Sequence, residues 1–254
     1  MSVVLMYHSL YNGEDTSRID AEDLPYAVST SNFIAQLDRL TNKSVGLLDL
    51  KNQTMPDVVI TFDDGHVSNY DIAMPLLAER GLAAYLFVTS DFVGQRAHFC
   101  SSEQLAKMAN NGIEIGSHGT THRFFDDLSD DEAECELRQS MKQLSEQCGQ
   151  AVQSISYPGG RYSKRTLELS RTAGYSQLFG SEIGTLKQSD LSASGPLKRV
   201  AIRRGTTLDE FDRIINADAA YYAKQRGKQH AKTLVKRTLG NRLYHGLYKS
   251  ISAR

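Results

Sequence analysis

Two short fragments carry the residue types that hydrolytic chemistry needs: Thr61-Phe62-Asp63-Asp64-Gly65 and Ser117-His118-Gly119-Thr120-Thr121-His122. Each follows a short apolar run, as at the end of a strand. A catalytic zinc site commonly uses three nitrogen or oxygen ligands and keeps one position for water. Asp64, His118 and His122 fill that description, because a His-x-x-x-His spacing brings both rings to one side of a turn. Such an ion lowers the pKa of its water towards neutrality and polarises a carbonyl. Asp63 is then the spare carboxylate, placed to act as general base. Neighbouring strand residues point in opposite directions, so Asp63 and Asp64 can serve different tasks. Taken alone, Asp-Asp-Gly reads as a turn and His-x-x-x-His as surface chemistry. Both together, each after a strand-like run, point to a metal-dependent hydrolase.

The elements that must hold these groups alternate. Val3–Met6, Val58–Phe62, Ala84–Val88, Ile113–Gly116, Val152–Tyr157, Tyr175–Phe179 and Val200–Arg203 read as strands. Between them lie helical patterns. Phe33, Leu37 and Leu40 form one apolar stripe behind a capping Ser31, and a second helix runs from after Ser68 to before Gly81. A third spans Glu103–Ala109. Ser129-Asp130-Asp131-Glu132 is a capping box that opens a long helix to about Gln147, and Ser163–Ala173 is closed by Gly174. Thr207–Glu210 is a further capping box. Strand, loop and helix in repeated succession mean βα units on a parallel sheet, and seven of them favour a barrel over an open sheet. In such a barrel, functional side chains gather at the C-terminal ends of the strands.

A chain of 254 residues suits one α/β domain, and its apolar and charged fractions are those of an ordinary globular protein. Its three cysteines, Cys100, Cys135 and Cys148, lack metal-ribbon spacing and are expected to be free thiols in a reducing compartment. No membrane-spanning stretch occurs, and Val3-Val4-Leu5-Met6 begins at once with no signal-peptide pattern, so a cytoplasmic location is expected. The net charge of -1 hides an asymmetry: from Ala219 onward there are nine Lys or Arg and no Asp or Glu. Residues 1–218 are therefore read as the barrel and 219–254 as a basic helical extension. Leu243, Leu247 and Ile251 recur every four residues among basic neighbours. That is compatible with a helix packed on the barrel or with peripheral contact to an anionic membrane surface at the inner face. No nucleic-acid partner is expected.

At these motifs the sequence resembles the polysaccharide deacetylase family, carbohydrate esterase family 4, also called the chitooligosaccharide deacetylase homology domain. Thr61–Gly65 matches the family's first motif, and Gly116–His122 is similar to its second. The resemblance covers about Leu5 to Gly205. It implies a distorted (β/α)7 barrel that uses a divalent metal to hydrolyse acetyl groups on sugars. It further implies that Asp63 is the base and that Asp64, His118 and His122 are the ligands. Zinc suits that ligand set, and cobalt, nickel or iron would also bind.

Ile155-Ser156-Tyr157-Pro158-Gly159-Gly160 is similar to the third motif, with Ser156 where Arg is frequent and Gly159 where Tyr is frequent. The resemblance implies an oxyanion hole from the Gly159 N–H, a task that needs no particular side chain. Arg199 or Arg203, at the last strand, is a candidate replacement for the missing Arg. The family's usual late Leu-x-His is also absent, since that region reads Lys198-Arg199-Val200-Ala201-Ile202-Arg203. Leu5-Met6-Tyr7-His8-Ser9-Leu10 instead resembles the start of the exopolysaccharide (poly-N-acetylglucosamine type) deacetylases, whose motif order is permuted. That resemblance implies that His8 of this N-terminal motif replaces the missing His as general acid, which a closed barrel allows because its first and last strands are neighbours; a buried His at the end of strand one is the alternative.

Tyr7, Tyr157, Pro158, His66 and Arg199 are expected to contact substrate. For Tyr7, Tyr157 and Phe92, core packing weighs equally with sugar stacking, and His66 also reads as a plain loop residue. The expected activity is removal of acetyl groups, N-acetyl above all, from an amino-sugar glycan or glycoconjugate. Two other readings stay open. One is removal of formyl or another small acyl group from a lipid-linked amino sugar. The other is a catalytically silent glycan-binding barrel, kept open by the changes at Ser156 and Gly159.

Overall fold

The computed structural model describes residues 1–229 and 231. Its centre is a seven-stranded sheet in the order β8-β7-β6-β5-β4-β1-β9, with every strand pair parallel. These strands are β1 (Val3–Tyr7), β4 (Val58–Phe62), β5 (Ala84–Val88), β6 (Ile113–Ser117), β7 (Ser154–Ser156), β8 (Gln177–Phe179) and β9 (Val200–Ala201). A small parallel pair, β2 (Leu10–Tyr11) and β3 (Val28–Ser29), sits beside them. Helices α1 (Thr30–Asp38), α2 (Met74–Ala78), α3 (Ser102–Ala109), α4 (Asp130–Cys148), α5 (Lys164–Ala173) and α6 (Leu208–Ile215) fill the crossovers. Closure is irregular: Leu197 bridges to Phe179 of β8, whereas Val200 and Ala201 pair with β1. The segment 197–201 thus ties the two edges together, giving the distorted (β/α)7 barrel.

The strands are buried on both faces, and alternation along each strand decides what every residue meets. Val3, Leu5 and Tyr7 join Val58, Ile60 and Phe62 in the core shared with the helices. The opposite set, Val4, Val59, Tyr85, Phe87 and Phe179, packs in a second core that fills the barrel interior. Carrying that parity to the strand ends puts His8, Asp63, His118, Ser156, Arg199 and Arg203 on the inward side. The same parity puts Tyr7 and Tyr157 among the helices. Gly116 is inward too, where a Cβ would lie 2.5 Å from the Phe87 ring.

Local signals set the helix limits. The Ser129 capping box and left-handed Gly149 bound α4, and Gly174 closes α5. Ser101 and Gln104 form another box at α3. Helix α1 is capped by Ser29, not Ser31, because the chain leaves β3 at Ser29 in an extended conformation and its hydroxyl accepts the Asn32 N–H. At α6 the Thr207 hydroxyl accepts the Glu210 N–H, without the reciprocal bond of a full box. The helix after Ser68 opens with a π-type turn, Asn69–Ala73.

A further helical stretch, 219–229, folds back on the barrel. Tyr221 and Tyr222 are buried in the main core, so this part of the expected extension packs as part of the barrel. The stripe of Leu243, Leu247 and Ile251 lies outside the described residues. Among those described, no helix is long and apolar enough to cross a membrane, and all three cysteines are free.

Candidate active site

Asp63 continues the β4 ladder, with its N–H donating to Tyr7 O at 2.9 Å. Its carboxylate is buried and held by Arg199, which stands immediately before β9. Arg199 Nη1 lies 2.7 Å from Oδ1 and Nη2 lies 2.8 Å from Oδ2. The remaining donors of that guanidinium reach Thr61 Oγ1 at 3.2 Å, Ser156 Oγ at 2.6 Å and Gly180 O at 2.7 Å. The Ser156 hydroxyl donates in turn to Asp63 Oδ2 at 3.1 Å. Beneath the group lie the Phe87 and Phe179 rings, with the guanidinium carbon 5.5 and 6.0 Å from their centroids. Burial works against the charge of Asp63, but the Arg199 guanidinium together with the nearby His118 and His8 rings outweighs it and holds the carboxyl below the usual range. At neutral pH Asp63 is therefore an ionised, fixed carboxylate.

At Asp64 the backbone swings into the left-handed region, with φ 77°, and Gly65 follows at φ 87°. That turn brings Asp64 Oδ1 to 3.4 Å from His118 Nε2 and 3.2 Å from His122 Nε2. One donor atom from each of the three residues falls within 4.8 Å of the others. His118 Nδ1 lies 2.8 Å from Ser156 O, which fixes the ring and leaves Nε2 facing Asp64 Oδ1. Burial lowers the His118 pKa to about 4, so the imidazole is neutral, as ligation requires. At His122 burial disfavours the cation too, but the carboxylates of Asp64, Asp23 and Asp63 together outweigh it and raise the pKa. A half-buried carboxylate between two imidazoles fits a divalent cation by donor type and spacing.

The loop carrying this pair hangs on Glu136 of α4. Its Oε2 accepts the N–H groups of Thr120 and Thr121 at 2.6 and 3.0 Å, and Oε1 accepts the Thr121 hydroxyl at 2.5 Å. His122 itself needs φ 65°, a strained geometry that such anchoring can hold.

His8 follows β1 on the inward side. Its carbonyl accepts from Asn69 Nδ2 at 2.8 Å, and its ring lies 4.7 Å from that of Tyr26. Its Nδ1 is buried with no hydrogen-bond partner. His8, Asp63, Asp64, His118, His122 and Gly159 all line one open cleft of about 810 Å³. Gly159 adopts φ 62°, and a Cβ there would lie 2.8 Å from the Phe124 ring. Phe124 thus occupies the side-chain space at this position, while the Gly159 N–H has no acceptor among the described residues.

Tyr157 and Arg199 line this cleft and His66 the small pocket beside it, and the polar groups of Tyr7, Tyr157, His66 and Arg199 are engaged within the protein. Tyr7 is buried, donates to Gln36 Oε1 at 2.9 Å and packs on Phe33 and Phe62. Tyr157 is buried, donates to Ser170 Oγ at 2.9 Å and packs on Phe125 and Tyr162. Pro158 is buried in the turn below Gly159. His66 is buried between Ser68 Oγ at 2.8 Å and Arg18 O at 3.0 Å, in a small pocket beside Asp64 and His8. Every N–H donor of Arg199 is engaged within the protein, so it orients Asp63 and has none to offer a substrate. Phe92 carries Arg96 on its face at 4.5 Å.

The residues not anticipated are Glu136, Asn69, Tyr26, Phe124 and Asp23, the last three lining the cleft. Glu136 had a sequence signal, a carboxylate on the same helix stripe as Ala133, Leu137, Ser140 and Leu144. Tyr26 ends the single 3-10 turn Leu24–Tyr26 that Asp23 precedes, and Phe124 precedes another, Phe125–Asp127, so no periodicity places them.

The polysaccharide deacetylase family matches residues 51–178, half of the chain, and the chain belongs to that family of hydrolases acting on acetylated sugars. YxkH of Bacillus subtilis (strain 168), named for the polysaccharide deacetylases, is 29% identical over 216 residues, 84% of this chain and 76% of its own. Among solved structures, the Streptococcus pyogenes deacetylase PplD in complex with acetate superposes with a TM-score of 0.73 at 23% identity, covering 84% of this chain and 97% of that one. IcaB from Ammonifex degensii does so with a TM-score of 0.70 at 24% identity, covering 84% and 95%. These two likenesses are of fold.

Proposed function

We propose that the protein hydrolyses the N-acetyl groups of an amino-sugar glycan, with Asp63 as general base and His8 as general acid. The observation that carries this reading is the pairing of an ionised, immobilised Asp63 with the adjoining Asp64, His118 and His122 cluster. Those three residues would hold a divalent ion, zinc by donor type, with cobalt, nickel or iron also suited. Such an ion, when bound, acidifies water and polarises the acyl carbonyl. Asp63 takes the proton from the attacking water, and Arg199 keeps it aimed and charged. The unpartnered Gly159 N–H donates to the oxyanion as the carbonyl carbon becomes tetrahedral. His8 delivers a proton to the amine nitrogen as the C–N bond breaks, so acetate and a free amino sugar leave.

The Arg missing at position 156 no longer favours a silent barrel, because Arg199 supplies its charge to the base. A formyl group could occupy the same site, and scoring acetate against formate release separates the two. The test of the main reading is acetate release from N-acetylated amino-sugar oligomers by the metal-loaded chain, beside Asp63→Asn and His8→Ala. Full activity in both variants would overturn the assigned roles.

A further inference from the structure

The cleft carries a second set of charged groups that the proposed hydrolysis does not use. Arg203 and Arg204 follow β9 directly, and Lys228 projects from the helical stretch 219–229; all three line the same cleft as Asp64, His118 and His122. Among the described residues none of the three forms an ion pair. The stretch beyond Asp218 contributes no acidic side chain anywhere.

What holds the two arginines is aromatic. The Arg203 guanidinium lies 5.0 Å from the Tyr26 ring centroid and that of Arg204 lies 5.2 Å from Tyr11. A guanidinium stacked by its face stays charged and keeps its in-plane N–H groups for another acceptor. Besides Asp63 and Asp64, two carboxylates share the cleft wall. Glu210 is engaged by the Tyr221 hydroxyl at 3.1 Å, and Asp23 lies at the catalytic end, in the small pocket beside His8 and Asp64.

We propose that Arg203, Arg204 and Lys228 recognise an oxyanion, a phosphate or carboxylate, carried by the glycan outside the acetyl group being removed. The substrate is then an anionic saccharide, and the helix 219–229 is a wall of its binding site. This rests on reading the cleft as a deacetylase site. Like charges along one cleft repel, and an oxyanion set among them replaces repulsion with charge-assisted hydrogen bonds.

The test is calorimetric binding of matched N-acetylated oligosaccharides to the full, metal-loaded chain: one neutral, one bearing a phosphate and one bearing a carboxylate. At least one anionic ligand should bind about tenfold or more tightly than the neutral one, and whichever gains names the group. Raising salt should shrink that advantage. Arg203→Gln/Arg204→Gln should remove most of it, and Lys228→Gln, on an exposed helix face where folding is not at stake, should reduce it. Equal affinities in the wild type, or an advantage untouched by either variant, would overturn the inference. Acetate release followed in the same preparations keeps the two readings apart. Anion preference without hydrolysis would sink the deacetylase reading alone, and hydrolysis without anion preference would sink this inference alone.

Discussion

Arg199 meets Asp63 edge to edge, with both carboxylate oxygens within 2.8 Å of guanidinium nitrogens. The two residues are 136 positions apart and adjoin the start of β9 and the end of β4, strands that flank β1 in the sheet. Ser156, at the place where the family often has Arg, has become a small hydroxyl that bridges the pair. The positive charge beside Asp63 thus comes from the residue before β9 and not from β7.

Removing that charge should be costly in two separable ways. Arg199→Met leaves Asp63 buried and unpaired, which should destabilise the fold by about 3–5 kcal/mol. Arg199→Lys keeps a charge but loses the fork. It should fold, bind metal normally and lose about 10- to 100-fold in kcat. Denaturation midpoints and kcat, read beside metal content, check both; a fully active Arg199→Lys would dissociate Arg199 from the base.

Glu136 should act on the metal through the loop it anchors. Glu136→Ala leaves the Thr120 and Thr121 N–H groups without their acceptor, at a cost of about 1–3 kcal/mol. It should also weaken metal affinity, because His122 loses the anchoring of its strained backbone. Thermal melts and a metal titration read the two effects, and unchanged metal affinity would show that His122 is held without Glu136.

Gly159→Ala should strain the oxyanion turn. The position has φ 62° and its added methyl would press on Phe124. Activity should fall while metal content holds, and Phe124→Ala in the same chain should relieve the contact but not the backbone strain. Partial recovery of kcat is the expected outcome; no loss in Gly159→Ala would separate this turn from catalysis.

A pH effect on stability is expected away from the metal. Glu114 on β6 is largely buried, and burial raises its pKa. A carboxyl raised in the folded state stabilises fully below its unfolded pKa, about 4. That contribution is lost as pH rises through the folded value. Glu114→Gln should therefore melt higher than the wild type at neutral pH, and the two melting curves should converge below about pH 4. Identical melts at neutral pH would contradict it.

Much of the site was legible because strand ends are. An apolar run followed by Asp63-Asp64 or by His118 locates a rim position whatever the rest of the chain does, and the barrel follows from the repetition of such runs. Substrate contacts were harder to read. Tyr7 and Tyr157 are aromatic and lie near motif residues, yet strand alternation turns both towards the helices, where their hydroxyls meet Gln36 and Ser170. The same alternation turns Arg199 inward, but which of Arg199 and Arg203 reaches Asp63 depends on the register of β9 against β1. That register is a tertiary fact. Tyr26 and Phe124 come from irregular segments whose position is set by packing alone.

The most direct measurement is acetate release from an N-acetylated amino-sugar oligomer by wild type and Asp63→Asn, each with its metal content determined. The wild type should release acetate with one divalent ion per chain. Asp63→Asn should keep the ion, because Asp64, His118 and His122 are intact, and should lose at least about 100-fold in kcat. Undiminished acetate release by metal-loaded Asp63→Asn would contradict the account.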